Sequence, residues 1–344
     1  MKKIILILPV IALLFLKCQK SETPEVLPPD PVDTTVVLTP FEIITPTHFP
    51  QMIIPDDNQP YMERVMLGRM LYYDPILSND GRACASCHHQ SKGFTVPGMV
   101  NGMPVLPHVN LAWSSNFMWD GSKPGSLEDV MLFEVKEFFG TDLSKVNKDS
   151  NYIKLFRRHF GVSQITYKEL SYALAQFVRT MISRDTKYDR FIRGAEDLDY
   201  DEMEGRNIFF SEKGDCFHCH VNPTMTDNLF HNIGLDSVYA KEMDKGQYNV
   251  TGSIFDLGKF KTPNLRNVAL RERLMHDGRF QSLEEVIEFY NSGVRKVNSL
   301  DPIMTKPGKE NGLNLSPQEK YQLVRFLQTL TDETFITDTT LGPL

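Results

Sequence analysis

Cysteine and tryptophan are scarce in this sequence, and clusters of basic residues are missing altogether. Of 344 residues, five are cysteine and two are tryptophan, and the formal charge is −7. A nucleic-acid partner would require a basic face, so the composition argues against one. Alternation of apolar and polar residues is also rare, which argues against a fold built mainly from strands. Four of the five cysteines fall in two short motifs, which leaves none of those four for a structural disulfide.

Long apolar runs are equally rare, and the clearest one lies at the amino terminus. It extends from Ile4 to Leu16 behind a basic start, too short for a comfortable bilayer span and typical of a signal peptide. It ends at Cys18, which resembles the acylated cysteine of a bacterial lipoprotein; plain signal cleavage is the alternative. We expect a signal peptide over residues 1–17 and a Pro/Thr/Glu-rich tether over 18–48, hence a periplasmic or envelope location with a lipid anchor.

Two copies of the pattern CxxCH stand far apart in the chain. They comprise Cys84, Cys87 and His88 in CASCH, and Cys216, Cys219 and His220 in CFHCH. A pair of cysteines at this spacing can be a redox dithiol, half a zinc site or a haem tether. Zinc requires four ligands brought together, whereas here each pair carries its own histidine at the same offset. The pattern therefore favours two covalently bound c-type haems, with His88 and His220 as axial ligands of the iron.

The rest of the chain reads mainly as helix. The apolar spacing of MERVMLGRMLYY predicts a helix just before the first motif. Capping patterns predict further helices that begin at Thr166, Ser282 and Ser316. Between them lie long loops rich in Gly, Pro and Asn, such as residues 91–110 and 221–262. Loops of this length need something to pack on, and a haem would serve.

Several long segments resemble the bacterial dihaem cytochrome c peroxidase and MauG family. They are LGRMLYYDPILSNDGRACASCH, FMWDGS, GRNIFFSEKGDCFHCH, FHNIGL and FKTPNLRNVALRERLMHDGRFQSLEEVIEFYNSG, within residues 50 to 330. The resemblance implies a mostly α fold of two cytochrome c-like helical domains, each around one covalently attached c-type haem. We assign residues 49–193 to an N-terminal, peroxidatic domain and 194–344 to a C-terminal, electron-transfer domain.

Three further site residues follow from the same resemblance. Trp119, in WDG, matches the family tryptophan that relays electrons between the haems, although a packing role is the alternative. His276, in MHDGR, matches a histidine near the second haem and the domain interface. Tyr290 stands where the family's peroxidases have a methionine ligand of the second iron and where MauG has a tyrosine.

Helical spacing also bears on Tyr290. A helix that begins at Ser282 puts one buried face together, formed by Leu283, Val286, Ile287 and Tyr290. A phenolate, being a hard anion, stabilises high oxidation states of iron better than a thioether does. The alternative is a buried core tyrosine with a hydrogen-bonded hydroxyl. On the family match described above, we expect Tyr290 to be a ligand of the second iron.

Departures from the family pattern affect the peroxide pocket. After WDG, the family's glutamine position is Val130, and its glutamate falls near Phe139 or Gly140. Glu134 and Glu137 lie close by, share a face of the predicted helix, and either could act as acid–base; exposed glutamates on a solvated face are the alternative. The family's arginine–asparagine pair, which includes a calcium ligand, is missing from NGMPVLPHVNLAW, and this weakens the expectation of calcium. His108, Met99 and Met103 are candidates for the sixth ligand of the first iron.

Together these features predict an enzyme that reduces hydrogen peroxide with electrons from a small cytochrome or copper protein. A MauG-like oxidase of a protein substrate is one alternative, favoured by Tyr290. An electron-transfer cytochrome without its own chemistry is another, favoured by the missing glutamine. The family resemblance also makes a homodimer an expectation.

Overall fold

The computed structural model describes residues 38–344, and its regular structure is almost entirely helical. The α-helices are α1 (Met62–Tyr73), α2 (Leu127–Phe133), α3 (Leu143–Val146), α4 (Ser150–Phe160), α5 (Tyr167–Arg179), α6 (Lys187–Ile192), α7 (Tyr200–Phe209), α8 (Tyr248–Thr251), α9 (Leu283–Glu288), α10 (Pro317–Gln328) and α11 (Glu333–Thr337). Two short antiparallel pairs are present, β1 (Asn116–Phe117) with β2 (Lys123–Pro124), and β3 (Phe230–His231) with β4 (Phe260–Lys261). The predicted mostly α fold is confirmed.

The predicted helix starts are confirmed by their caps. The side chains of Thr166, Ser282 and Ser316 each accept a hydrogen bond from a backbone N–H of the first turn of α5, α9 and α10 respectively. The chain continues from α9 into a π-helical turn, Phe289–Gly293, which ends at that glycine. Among residues 38–344 no helix is both long and apolar enough to cross a bilayer.

Two hydrophobic cores are built in the same way, each from a helix before a CxxCH motif and a later helix. In the first core α1 packs on α5, and in the second α7 packs on α10. Each contact is centred on a glycine, because a β-carbon at Gly68 would collide with the backbone oxygen of Ala173, and one at Gly205 with that of Gln322. These close approaches anchor the helix that precedes each motif.

The two cores do not follow the predicted domain limits throughout. Residues 331–344, predicted to belong to the second domain, pack on the first core, where Phe335 and Leu341 are buried. The ring of Phe335 lies 5.3 Å from that of Phe94, centroid to centroid. The first core is thus completed by a segment from far along the sequence, and the division near residue 193 stays a prediction for the rest.

The predicted tether extends too far. Residues 38–48 are packed: the Thr39 hydroxyl donates to the Glu63 carboxylate at 2.8 Å, and Phe41 packs against the first core. These contacts require a fixed path for the chain, which a free tether would not have. The predicted signal peptide, Cys18 and the rest of the tether lie outside the described residues.

A buried ion pair ties α6 to the loop before α9. Both nitrogens at the end of Arg266 donate to the Asp189 carboxylate, each at 2.7 Å, and both side chains are buried. His48 approaches the same carboxylate at 3.1 Å. Burial alone would raise the pKa of Asp189, but the bonds from Arg266 and Thr186 outweigh it and hold that pKa at about 2. Asp189 is therefore a charged structural residue at neutral pH.

Candidate active site

The second CxxCH motif faces a large cavity. The cavity holds about 550 Å³ and is lined by Cys216, Cys219, His220 and Tyr290. Its volume lies within the roughly 300–1,000 Å³ of small-molecule and cofactor pockets. The apolar face of α9 forms part of the wall, through Leu283, Val286 and Ile287, as the helical spacing predicted. Tyr290 follows them in the π-helical turn, which brings its phenol to the same cavity.

The orientation of His220 leaves one ring nitrogen for a ligand. Its Nδ1 donates to the carbonyl of Met225 at 3.0 Å, which fixes the tautomer with Nε2 unprotonated. Burial lowers the pKa of His220 to about 4, so the imidazole is neutral. Burial disfavours the charged form of Tyr290 as well, and for a phenol this raises the pKa above its usual value. The phenol therefore stays protonated unless a cation binds it.

A c-type haem fits this donor set. Within residues 38–344 the four cysteines are unpaired thiols, so two are available in each motif for thioether bonds. In the second site the thiols, a neutral imidazole and a phenol line one cavity, whose remaining walls are mostly apolar. Such walls suit a porphyrin, and the imidazole and phenol suit iron.

A charged triad beside Cys219 was not foreseen from the sequence. His231 lies between two carboxylates, with Nε2 at 2.8 Å from Asp227 and Nδ1 at 2.6 Å from Asp301. Burial opposes a charge on this ring, but the two carboxylates outweigh it and raise the pKa of His231 to about 12. The segment FHNIGL, which contains His231, was part of the family resemblance, yet nothing in its spacing identified these partners.

The first motif is more enclosed. Cys84 is buried, Cys87 and His88 are half-buried, and Nδ1 of His88 donates to the carbonyl of Phe94 at 2.9 Å. As in the second site, this bond leaves Nε2 unprotonated, and burial lowers the pKa of His88 to about 4. The two thiols and the imidazole therefore form the same donor set, and they fit a second c-type haem.

His108 lies against His88. The two rings are stacked, with centroids 3.5 Å apart and planes 16° from parallel. Nδ1 of His108 is 3.1 Å from the hydroxyl of Tyr72, which is completely buried. The two methionines considered for the sixth position are less enclosed, since Met99 is 49% exposed and Met103 is half-buried. Neither the stacking nor the contact between His108 and Tyr72 had a signal in the sequence.

The two candidate glutamates have different surroundings. α2 gives way to a π-helical turn at Glu134–Phe138, so the residues three apart no longer follow α-helical spacing. Glu134 is half-buried, and burial raises its pKa to about 7, only partly opposed by Lys123. Burial also raises the pKa of Cys84, and the charge of Glu134 raises it further, so this carboxyl group acts electrostatically on the first motif. Glu137 is exposed and pairs with Lys123 at 3.2 Å. Val130, at the glutamine position, is buried.

Trp119 and His276 both line the second cavity. The Trp119 indole N–H donates to the carbonyl of Pro104 at 2.8 Å. His276 is buried and stacked on Phe260, with centroids 3.6 Å apart. Its Nε2 is 3.6 Å from Asp244, too far for a hydrogen bond. Trp119 thus forms part of the wall that the loop after the first motif contributes to the second cavity.

Comparison with known proteins shows what this chain resembles. Residues 62–197 match the family described as di-haem cytochrome c peroxidase. The methylamine utilization protein MauG of Methylorubrum extorquens is 33% identical over 296 residues, which cover 81% of each chain. The cytochrome c551 peroxidase of Nitrosomonas europaea is 30% identical over 288 residues, covering 78% of this chain and 79% of that protein.

Solved structures of MauG-like and dihaem proteins resemble this chain as well. The crystal structure of a MauG-like protein associated with microbial copper homeostasis superposes with a TM-score of 0.78 at 29% identity, covering 88% of this chain and 99% of that one. The diheme peroxidase BthA from Burkholderia thailandensis superposes with a TM-score of 0.65 at 19% identity, covering 83% of this chain and 91% of that one. The second likeness concerns the fold alone.

Proposed function

Because the chain belongs to the dihaem cytochrome c peroxidase and MauG family, a family of oxidoreductases, we propose that it reduces hydrogen peroxide at the first haem site. Electrons would come from an external redox donor, a small cytochrome or copper protein. The observation that carries the proposal is Glu134, a carboxyl group whose charge raises the pKa of Cys84 and whose own pKa is raised by burial to about 7. A general acid–base works best when its pKa lies near the working pH.

Each haem would be held by one motif. Cys84 and Cys87 would form the thioether bonds of the first and His88 its axial bond, while Cys216, Cys219 and His220 would do the same for the second. When bound, the first haem supplies an iron that takes up peroxide and passes electrons to it. The chain's own contribution is to orient the two histidines through the carbonyls of Phe94 and Met225.

Glu134 would move the protons. In its ionised form it accepts a proton from peroxide, and it then returns that proton to the oxygen that leaves as water. Its half-buried position supports this role. Burial raises the pKa of the carboxyl group to about 7, so both the ionised and the protonated form are populated near neutral pH. Glu137 is less suited, since it is exposed and already paired with Lys123.

The second site would deliver electrons. Tyr290 would be the second axial ligand. Its position in the lining of the cavity that His220 also lines supports this role. Trp119 would relay electrons between the sites, since it lines the second cavity and its indole is held by the loop after the first motif. His276, buried beside Phe260, would help to shape this wall.

A MauG-like oxidation of a protein substrate is the second candidate. Tyr290 favours it, because a phenolate ligand would lower the potential of the second iron and so make it a poor acceptor from small donors. An electron-transfer cytochrome without chemistry of its own is the third. We further propose export to the periplasm or cell envelope, with Cys18 as a lipid anchor; a homodimer remains an expectation from the family.

One experiment separates the three. EPR and optical spectra of the purified holoprotein would be recorded before and after one equivalent of hydrogen peroxide, both as isolated and half-reduced. Consumption of peroxide with rapid turnover on a small redox donor supports the peroxidase. Consumption with slow donor oxidation supports the MauG-like oxidase. Two low-spin haems that neither react with peroxide nor bind carbon monoxide, in both oxidation states of the protein, would exclude the peroxidase and the MauG-like oxidase.

A further inference from the structure

We propose that Tyr72 is a redox-active residue of the first site and that it supplies an electron during peroxide reduction through a contact chain of Tyr72, His108 and His88. This inference rests on the proposed function, because peroxide is the oxidant. It adds a redox-active residue that acts through His108 and lies outside both CxxCH motifs.

The contacts form a continuous path. The Tyr72 hydroxyl is 3.1 Å from Nδ1 of His108, and the ring of His108 is stacked on that of His88 at 3.5 Å. The carbonyl of Phe94 holds both histidines, accepting from Nδ1 of His88 at 2.9 Å and from the backbone N–H of His108 at 3.2 Å. One shared acceptor therefore fixes the stack, and the phenol is joined to the iron ligand through two close contacts.

The stack also bears on the role of His108. If Nε2 of His88 binds the iron, as proposed, His108 would lie face to face with that ligand, at 3.5 Å between centroids. Its Nδ1 is at the same time within reach of the Tyr72 hydroxyl. These contacts suit His108 to serve Tyr72 rather than to bind the iron itself.

The chemistry balances with peroxide as the oxidant. Hydrogen peroxide takes two electrons, together with two protons from solvent, to give two molecules of water. When the external donor has supplied only one electron, Tyr72 supplies the other, and its O–H bond breaks. The phenolic proton passes along the hydrogen bond to Nδ1 of His108, which leaves a neutral phenoxyl radical beside a protonated imidazole. One electron from the donor and the return of that proton restore Tyr72.

The chain offers a matched control in the next residue. The ring of Tyr73 lies 5.3 Å from that of Tyr72, centroid to centroid, and its hydroxyl donates to the carbonyl of Leu341 at 2.7 Å. A backbone carbonyl is not a base that can take up the phenolic proton. Oxidation of Tyr73 would therefore leave a phenol radical cation, which is much harder to form than a neutral phenoxyl radical. Two adjacent tyrosines thus differ in the one feature that the proposal requires.

The test is freeze-quench EPR of the half-reduced holoprotein after one equivalent of hydrogen peroxide. We expect an organic radical that narrows when the protein carries ring-deuterated tyrosine. In D2O, ENDOR should find an exchangeable deuteron hydrogen-bonded to the radical, contributed by His108. Tyr72→Phe should abolish the signal, Tyr73→Phe should keep it, and His108→Gln should lose most of it while haem content, measured separately, is unchanged.

Several outcomes would overturn the inference. A radical that does not narrow, that lacks the exchangeable deuteron, or that persists in Tyr72→Phe removes Tyr72 from the reaction. The first two readouts use the native protein, so they decide the matter even if a variant fails to take up haem. Peroxide consumption without any radical overturns this inference alone, whereas a protein that consumes no peroxide overturns the proposed function together with it.

Discussion

Replacement of Glu134 by glutamine should remove most of the peroxidase activity while leaving the site otherwise intact. Glutamine keeps the shape of the side chain but can neither accept nor return a proton. General acid–base groups contribute about 10²- to 10⁴-fold to rate, so we expect a loss of that order in the second-order rate constant for peroxide. Binding of carbon monoxide to the reduced first haem should be unaffected, because that ligand needs no proton.

The structure also sets the pH at which the native rate should change. Burial raises the pKa of Glu134 to about 7. Only the ionised form accepts the peroxide proton, so the rate should rise with pH through this value. With a pKa near 7, the ionised fraction is about one tenth at pH 6 and about nine tenths at pH 8. An ordinary glutamate would be fully ionised across that range and would give a flat profile.

Stopped-flow measurement of peroxide reduction between pH 5.5 and 8.5 provides the assay, with the range chosen to bracket a pKa of about 7. Glu137→Gln is the matched control, because it makes the same chemical change three residues away on an exposed side chain. We expect Glu137→Gln to keep both the rate and the pH profile. A Glu134→Gln enzyme with native rate, or a native profile that is flat near pH 7, would refute the reasoning.

Three other predictions concern stability, ligation and electron relay. Asp189→Asn breaks a buried ion pair and should lower the free energy of unfolding, measured by urea titration, by about 3 kcal/mol. Asp185→Asn is the control, because its pair with Arg193 is partly exposed, and it should lower that free energy by less than about 1 kcal/mol. Because the pKa of Asp189 is held at about 2, its contribution should persist above pH 4 and fade as the pH drops from its ordinary value of 3.8 toward 2. Tyr290→Phe should convert the second haem from low to high spin in EPR, and an unchanged spectrum would exclude ligation. Trp119→Phe should slow electron transfer between the haems in flash photolysis, while Trp113→Phe should not.

The sequence was most informative where a short motif indicates its own chemistry, or where a helix begins with a recognisable capping residue. The two CxxCH motifs, the helices that begin at Ser282 and Ser316, and the cavity face that ends in Tyr290 all depend on residues close together in sequence. Local hydrogen bonds and helical spacing determine them, so they could be predicted without knowledge of the fold.

Contacts between distant segments could not be found in this way. The stack of His108 on His88 and the pairing of His231 with Asp301 join residues that no periodicity relates. The difference between Glu134 and Glu137 depends on a π-helical turn, because its wider spacing departs from the α-helical geometry that the sequence analysis assumed. Tertiary packing decided each of these features.

The packing of residues 331–344 on the first core has a consequence for how the protein matures. Gln90, two residues after the first motif, donates through its side-chain amide to the carbonyls of Phe335 and Asp338. The ring of Phe335 also lies against Phe94, whose carbonyl orients His88. During synthesis, the loop around the first motif therefore remains incompletely covered until this distant segment has been made and has packed. A c-type haem, if attached there as proposed, would enter in that interval, before residues 331–344 cover the site.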